Sequence, residues 1–222
     1  MTKDGRNSLI NNIRLFVGDK SHLSRYVENM EEAVAYSRRI AWFLNSESFS
    51  LGAFPELYVL FTSSLDPGSV RVTADSGEWW HRYVHVGVAE DFAITPDAVD
   101  IAKNGIVQAL LAVRPDRAAA IRHADLTVRA YDSRLRFLLQ RREMARIFLE
   151  LSFNIAAYPK PSHLFIAQIN KADGRYLEAE PITLGDYMEG FDLVNGIRLA
   201  DAKNLEEQHL RSLVTKLVRR RG

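Results

Sequence analysis

The sequence predicts an α+β fold, in which an antiparallel sheet packs against several α-helices. The sheet is expected to contain a three-stranded meander and a C-terminal hairpin. Strand-like runs separated by turn signals occupy Glu56–Val88, and a second pair of such runs flanks Ala172-Asp173-Gly174. Segments with helical apolar spacing stand between and around them. Helices and antiparallel hairpins in this order argue against a doubly wound parallel sheet.

The composition is that of a soluble protein with a large core. The chain has 222 residues, 47% of them hydrophobic, which suffices for a single domain. Two closely packed lobes, about 1–125 and 126–222, are the alternative division. The net charge is +1, so no overall field attracts nucleic acid. Cysteine is absent and the N-terminus is polar, so we expect a cytoplasmic protein that does not enter membranes.

The first half of the chain begins with a helix, expected at Ser24–Asn45, where apolar residues recur at helical spacing over a broad face. The meander follows this helix. Asp66–Ser69 suits its first turn, because Pro67 fixes φ and Gly68 accepts a positive φ. Asp75-Ser76-Gly77 predicts its second turn.

The third run of the meander has two different faces, since side chains alternate along a strand. One face is apolar, and the other carries aromatic and imidazole groups. The residues are Val84, Val86 and Val88 on the first face, and Trp79, His81, Tyr83 and His85 on the second. Arg82 falls on the valine face, so we expect it at a sheet margin with its guanidinium reaching outward.

After the meander the sequence predicts more helix. Thr95-Pro96-Asp97 combines an N-cap residue, a proline suited to the first helical position and an acidic group at the dipole's positive end, so a helix should run to about Val113. A short helix is expected at Arg117–His123 and a strand at Leu126–Tyr131.

A longer helix is predicted at Gln140–Ala157, because Met144, Phe148, Leu151 and Ile155 form one stripe. Residues 133–139 fit either an extension of this helix or a strand.

The last part of the chain should contain the C-terminal hairpin and two helices. The hairpin strands are His163–Ile169 and Arg175–Glu180. A short helix is expected at Leu184–Val194. A final helix should begin after Asn204, with acidic residues in its first turn and arginines at its end.

His81 and His85 are the first candidates for chemistry. On a helix this spacing would place the imidazoles about 6 Å apart, close enough to share a metal ion. On a strand they lie about 13 Å apart, too far for one ion. The surrounding valines favour the strand, so neither a metal site nor a cofactor is predicted. Together with Trp79 and Tyr83, these histidines form a secondary candidate binding surface, unless helices cover that face.

The segment from Tyr176 to Ile197 mixes acidic and aromatic residues and contains neither lysine nor arginine. Such a surface would fit a partner with basic groups. The candidate partner-binding residues are Tyr176, Glu178, Glu180, Asp186, Tyr187, Glu189 and Asp192. The alternative is a solvated acidic face paired with basic groups of the same chain, which Arg134, Arg136, Arg141, Arg142 and Arg146 could supply.

No motif identifies a reaction. The phosphate-binding, nucleophile-elbow and EF-hand patterns are absent, and Gly18-Asp19-Lys20-Ser21 has neither an upstream glycine nor a predicted strand before it. We therefore predict a cytosolic protein-binding module without a catalytic centre, such as an immunity or antitoxin-type inhibitor of a bacterial toxin.

Two other functions remain open on the sequence. The first is a metal-independent enzyme, a hydrolase or nuclease, that uses His81 and His85 with a nearby carboxylate. The second is an oligomer-forming subunit with Trp79 and Tyr83 in a self-interface.

Overall fold

The computed structural model describes residues 8–19, 24–73 and 80–189. It has mixed α and β content, which confirms the α+β class in its coarse form. The chain divides into two compact units, Met1–Asp132 and Ser133–Gly222. Trp79, Asp192, the second turn of the predicted meander and the predicted final helix lie outside the described residues. In the part of the chain that is described, no helix is long and apolar enough to cross a membrane.

Among its described residues, the first unit contains a five-stranded sheet, a two-stranded ribbon and three α-helices. Its strands are β1 (Ser8–Leu9), β2 (Asn12–Val17), β3 (Arg25–Tyr26), β4 (Ser50–Gly52), β5 (Glu56–Thr62), β6 (Val70–Val72) and β7 (His81–Gly87), and its helices are α1 (Glu31–Ser46), α2 (Ala98–Val113) and α3 (Ala118–Tyr131). The sheet order is β3-β2-β5-β7-β6, and β1 pairs with β4. Strands β2, β5 and β7 are parallel, whereas β3 and β6 are antiparallel to their neighbours.

The predicted three-stranded meander is found only in part. Strand β6 forms the expected antiparallel pair with β7, but β5 pairs with β7 in parallel and does not contact β6 in the sheet. The reason is the burial of β5, which is continuous from Leu57 to Thr62. A strand buried on both faces takes the centre of a sheet and needs a neighbour on each side. Here those neighbours are β2 and β7.

One face of this sheet packs against helices. Gly105 of α2 sits directly on Phe61 and Val86, where an added Cβ would lie 2.6 Å from Phe61 Cε1 and 3.2 Å from Val86 Cγ1. Helix α1 packs beside β2, where the Ser37 hydroxyl lies 3.0 Å from the carbonyl oxygen of Ile13. The helices are therefore held close to the sheet by small side chains at the points of contact.

Polar contacts join α1 to α3. The side chain of Arg39 is only 1% exposed and forms ion pairs with Asp132, at the end of α3, and with Glu32. The Tyr36 hydroxyl donates a hydrogen bond of 2.5 Å to Asp125. Burial, followed by this hydrogen bond, raises the pKa of Tyr36. Such buried groups stabilise the unit only because they have partners.

The helix boundaries differ from those predicted. Helix α1 begins at Glu31, since Arg25–Tyr26 form β3 and Asn29 has a positive φ of 58°. Thr95 does not cap α2, because its hydroxyl donates to the Phe92 carbonyl. The strand predicted at Leu126–Tyr131 is wrong: this segment is the end of α3.

The described part of the second unit forms an antiparallel sheet. Its strands are β8 (Arg136–Glu143), β9 (Ile147–Asn154), β10 (Ser162–Asn170), β11 (Tyr176–Glu178) and β12 (Ile182–Leu184). The order is β11-β10-β9-β8, and β12 pairs with the other end of β10. The predicted hairpin around Ala172–Gly174 is confirmed in part: β10 pairs with β11 and Gly174 has a φ of 70°, but β11 covers only Tyr176–Glu178 of the predicted Arg175–Glu180.

The helix predicted at Gln140–Ala157 is wrong, because β8 and β9 form a hairpin there. Leu149, Leu151 and Phe153 are each 1% exposed, and their neighbours between them are only partly buried. This alternation is the period of a strand with one buried face. Residues 136–139 accordingly lie in β8.

We predict that Gly105→Ala destabilises the first unit, because its methyl group would press on Phe61. The expected loss is about 1–3 kcal/mol from overpacking, less about 1 kcal/mol from the better helix propensity of alanine. Urea unfolding measures the change. Gln108→Ala, on the exposed side of α2, is the matched control and should change stability by less than about 0.5 kcal/mol. An equal effect of the two substitutions would contradict the packing described.

Candidate functional site

The second face of the first sheet carries the histidines. The strand register places Tyr83 beside Tyr58, and His81 beside Glu56. At the other end, His85 lies between Leu60 on β5 and Arg71 on β6. We call this surface the histidine face, defined by Arg14, Phe16, Glu56, Tyr58, Leu60, Arg71, His81, Tyr83 and His85.

The rings on the histidine face form a closed cluster. Tyr58 stacks on His81 with 4.1 Å between ring centroids and 8° between planes. Tyr83 meets both rings edge-on, at 5.3 Å from Tyr58 and 5.0 Å from His81. His81 is 6% exposed and His85 is 7% exposed. Of the secondary candidate surface, His81 and His85 are therefore enclosed, whereas Tyr83 is partly buried.

A charged pair lies at the margin of this cluster. Arg14 Nε is 3.1 Å from Glu56 Oε2, and Arg14 Nη1 donates to the Tyr26 hydroxyl at 3.4 Å. Glu56 is the carboxylate nearest to His81 in the strand register. Burial raises the pKa of Tyr58, and the charge of Glu56 adds to this shift. Arg14 thus neutralises the carboxylate that an acid–base role for His81 would use.

His85 has one defined hydrogen bond. Arg71 Nη2 lies 3.1 Å from His85 Nδ1. Because a guanidinium only donates, Nδ1 must accept, and the neutral ring then carries its proton on Nε2. Burial lowers the pKa of His85, and the charge of Arg71 lowers it further. The imidazole is therefore held neutral, with its basic nitrogen already occupied.

The described residues contain no group of three histidine, aspartate or glutamate side chains that could hold a metal ion. The histidine face in particular presents one carboxylate, Glu56, which is paired with Arg14. Its arrangement can orient rings and hold charge, but it offers no assembled ligand set.

In the second unit, Tyr176 and Glu178 share one side of β11. The Tyr176 hydroxyl donates a hydrogen bond to Glu178. Arg136 donates two more to the same carboxylate, at 2.6 and 3.3 Å. Burial alone would raise the pKa of Glu178, but the hydrogen bonds from Arg136 and Tyr176 hold this pKa below its usual value. Burial, together with the bond to Glu178, raises the pKa of Tyr176 to about 12.

The other described candidates of the acidic segment do not join this pair. Tyr187 is 9% exposed and stacks on Phe153, with 6.0 Å between centroids. Because Phe153 belongs to the buried side of the sheet, Tyr187 lies on the opposite side from Glu178. Asp186 accepts from the Met188 amide and Glu189 from the Gly185 amide, so both hold a local turn. Glu180 is exposed.

The side of the second sheet that carries Glu178 has a feature the sequence reading missed. We call it the arginine face, defined by Arg136, Leu138, Arg141, Phe148, Glu150, Phe165, Lys171, Tyr176 and Glu178. Arg136 lies over the ring of Phe165, with Cζ 3.7 Å from the centroid. Arg141 lies over Phe148 at 4.1 Å.

Carboxylates fix these arginines in place. Arg141 Nε is 3.3 Å from Glu150, and Arg136 is bound by Glu178. Lys171 Nζ lies 4.9 Å from the centroid of Phe148 and 2.6 Å from Glu143. The pairing of acidic residues with the chain's own arginines, which the sequence offered as the alternative, holds for Glu178. Strand alternation alone would not have placed Arg136 and Arg141 on one face, because they are five residues apart, and a register shift between Leu138 and Gln140 brings them to the same side.

No family model, no curated protein and no solved structure matches the chain. The two sheet faces are therefore the basis for the functional assignment. One is rich in histidine and enclosed, and the other is rich in arginine and partly open.

We predict that His85 makes the stability of the protein depend on pH. Because the folded-state pKa lies below the unfolded value of about 6.5, the unfolded chain binds more protons between these two values. The stabilising contribution is thus complete above pH of about 6.5 and is lost as the pH falls through the folded-state pKa. Urea unfolding between pH 8 and 5 should show a shallower decline for His85→Gln than for the wild type.

His123→Gln is the control for this experiment, since His123 is exposed on α3. It should leave the steepness of the decline unchanged. If the free energy of unfolding falls equally steeply with pH in His85→Gln and in the wild type, His85 is not buried in the neutral form.

Proposed function

We propose that the protein is a binding module for another protein and that the arginine face is its contact surface. The observation that carries this proposal is the pair of arginines stacked on phenylalanine rings, Arg136 on Phe165 and Arg141 on Phe148. Arginine and aromatic residues are enriched among the groups that contribute most to protein–protein binding.

The arginines are held in place before a partner arrives. Each guanidinium rests on a ring and contacts a carboxylate, yet 42% of the Arg136 side chain and 49% of the Arg141 side chain remain exposed. A side chain that is already ordered loses less conformational entropy on binding. Planar guanidinium groups also stack and form paired hydrogen bonds, which lysine cannot reproduce.

Exposed apolar groups on the same face supply contact area. Leu138 is 56% exposed and Tyr176 is 53% exposed. Leu138 is next to Ser152 in the strand register, and Tyr176 is next to Ile169. Large apolar groups beside ordered charges form the usual pattern of an interface centre and its polar margin.

The charges of the arginine face are close to balanced, since Arg136, Arg141 and Lys171 each have a carboxylate beside them. We therefore expect a partner that offers both signs of charge. The exposed Glu180 lies two residues after Glu178 and adds negative charge at the margin. Basic groups of the partner would fit there.

An immunity or antitoxin-type inhibitor of a bacterial toxin is the specific role that we propose within this function. A protein of this kind works by occupying its target and needs no reaction of its own. The enclosed histidine face, the ordered charges of the arginine face and the cytosolic composition support this proposal.

A metal-independent hydrolase or nuclease is the second candidate, favoured by the position of Glu56 beside His81 in the register. The burial of both histidines and the contact of Arg71 with His85 weigh against it. In an enzyme of this kind, His85→Ala would abolish turnover while the protein stays folded. In the binding module it leaves partner affinity unchanged.

We predict that Tyr176→Ala weakens partner binding by about fivefold or more, because truncating an anchoring side chain costs more than about 1 kcal/mol. The tagged chain is cross-linked in its native host, the partner is identified by mass spectrometry, and dissociation constants are measured with the purified partner. Tyr158→Ala is the matched control, since Tyr158 is 79% exposed in the loop after β9. Equal affinities for the two variants would exclude the arginine face as the contact surface.

A further inference from the structure

The two stacked arginines of the arginine face differ in how their guanidinium groups are occupied. Both terminal nitrogens of Arg136 donate to Glu178, one to each carboxylate oxygen, at 2.6 and 3.3 Å. In this paired geometry, one carboxylate of the same chain already fills the terminal edge of the arginine. Arg141 instead contacts Glu150 through Nε, at 3.3 Å. Its two Nη groups, which carry the other N–H donors, form no hydrogen bond within the described part of the chain.

The guanidinium of Arg141 is fixed although its terminal edge is free. Its Cζ lies 4.1 Å from the centroid of the Phe148 ring, and Glu150 is its neighbour across the register of β8 and β9. Nevertheless, 49% of the Arg141 side chain is exposed. The ring and the carboxylate therefore hold one face and Nε, and they leave the Nη edge for another molecule. Donors that are ordered before binding lose less conformational entropy when they bind.

A second cation lies near the same ring. Lys171 Nζ is 4.9 Å from the Phe148 centroid, so Arg141 Cζ and Lys171 Nζ are at most about 9 Å apart. Lys171 also binds Glu143, at 2.6 Å. The hydrogen bond from Lys171 lowers the pKa of Glu143, and the charges of Lys171 and Arg141 lower it further. Together with Glu150, the ring thus has two cations and two ionised carboxylates around it.

We propose that Arg141 binds a carboxylate of the partner protein, from an aspartate or glutamate side chain, through its two Nη groups. This inference rests on the proposed function and specifies the chemistry of one contact within it. A planar guanidinium edge matches the two oxygens of a carboxylate. Glu143 and Glu150 repel a chain of phosphates, so a single carboxylate fits this position better than a nucleic-acid backbone.

The test uses the full chain and the partner identified by cross-linking. Arg141→Lys keeps the positive charge but lacks the planar pair of donors, so it should weaken partner binding by about tenfold or more. Arg122→Lys, on the exposed side of α3, is the matched control and should leave the dissociation constant unchanged. Aspartates and glutamates of the partner are then changed singly to their amides. At one position the loss of affinity should be large with the wild type and small with Arg141→Lys.

A titration of the unaltered chain with sodium acetate, at constant ionic strength, tests the Nη edge without the partner. Nuclear magnetic resonance signals of the Arg141 guanidinium should shift further than those of Arg122, which has no ring or carboxylate recorded beside it. They should also shift further than those of Arg136, whose Nη groups are occupied. An equal shift at all three arginines would contradict the proposal.

The affinities separate this inference from the proposed function. If Tyr176→Ala weakens partner binding and Arg141→Lys does not, the carboxylate contact is wrong, but the arginine face remains the contact surface. If neither substitution changes the affinity, the contact surface is wrong as well. Saturable binding of a single-stranded oligonucleotide that Arg141→Lys weakens would also overturn the proposal, because the bound group would then be a phosphate.

Discussion

The burial of β5 on both faces is the constraint on which the first unit depends. Leu57, Val59 and Phe61 face the helices, whereas Tyr58 and Leu60 face the histidine side, and all five are at most 8% exposed. A strand in this position must have a paired strand on each edge and a packed layer on each face. Parallel pairing with β2 and β7 meets the first need. Helices α1 and α2 meet part of the second, since they cover one face.

The burial of β5 also determines which sheet face is accessible to a partner. Because Tyr58 and Leu60 need a covered face, the histidines beside them are enclosed as well, and His85 is neutral and bound to Arg71. The second sheet differs, since β9 buries one side only, although Phe165 and Ala167 of β10 are also buried on the other side. Its other side keeps arginines partly exposed over aromatic rings. Binding is therefore better supported than catalysis, and its proposed surface is in the second unit.

Local signals in the sequence were sufficient for turns and strand faces. They placed the turn at Gly174 correctly and put His81 and His85 on one side of one strand. They failed where two periods fit one segment, as in Gln140–Ala157, where a helical stripe coexists with strand alternation. The local signals also did not predict which strand pairs with β5, because Asn12–Val17 was not recognised as a strand. This segment, β2, directly precedes Gly18 and is a parallel neighbour of β5. The ion pairs of the arginine face depend on register, which side-chain pattern alone does not determine.

The assignment of binding rests on the difference in exposure between the two faces: Tyr58, His81 and His85 are buried, whereas Arg136, Arg141 and Tyr176 are partly exposed. Hydroxyl-radical footprinting of the purified chain, read residue by residue with mass spectrometry, tests it directly. Tyr176, at 53% exposure, should react at a rate approaching that of Tyr158, at 79%, while Tyr58, at 8%, should be as protected as Tyr36, at 1%. If Tyr58 and His85 react as fast as Tyr176, the histidine face is open to solvent, and the assignment of binding to the arginine face loses its basis.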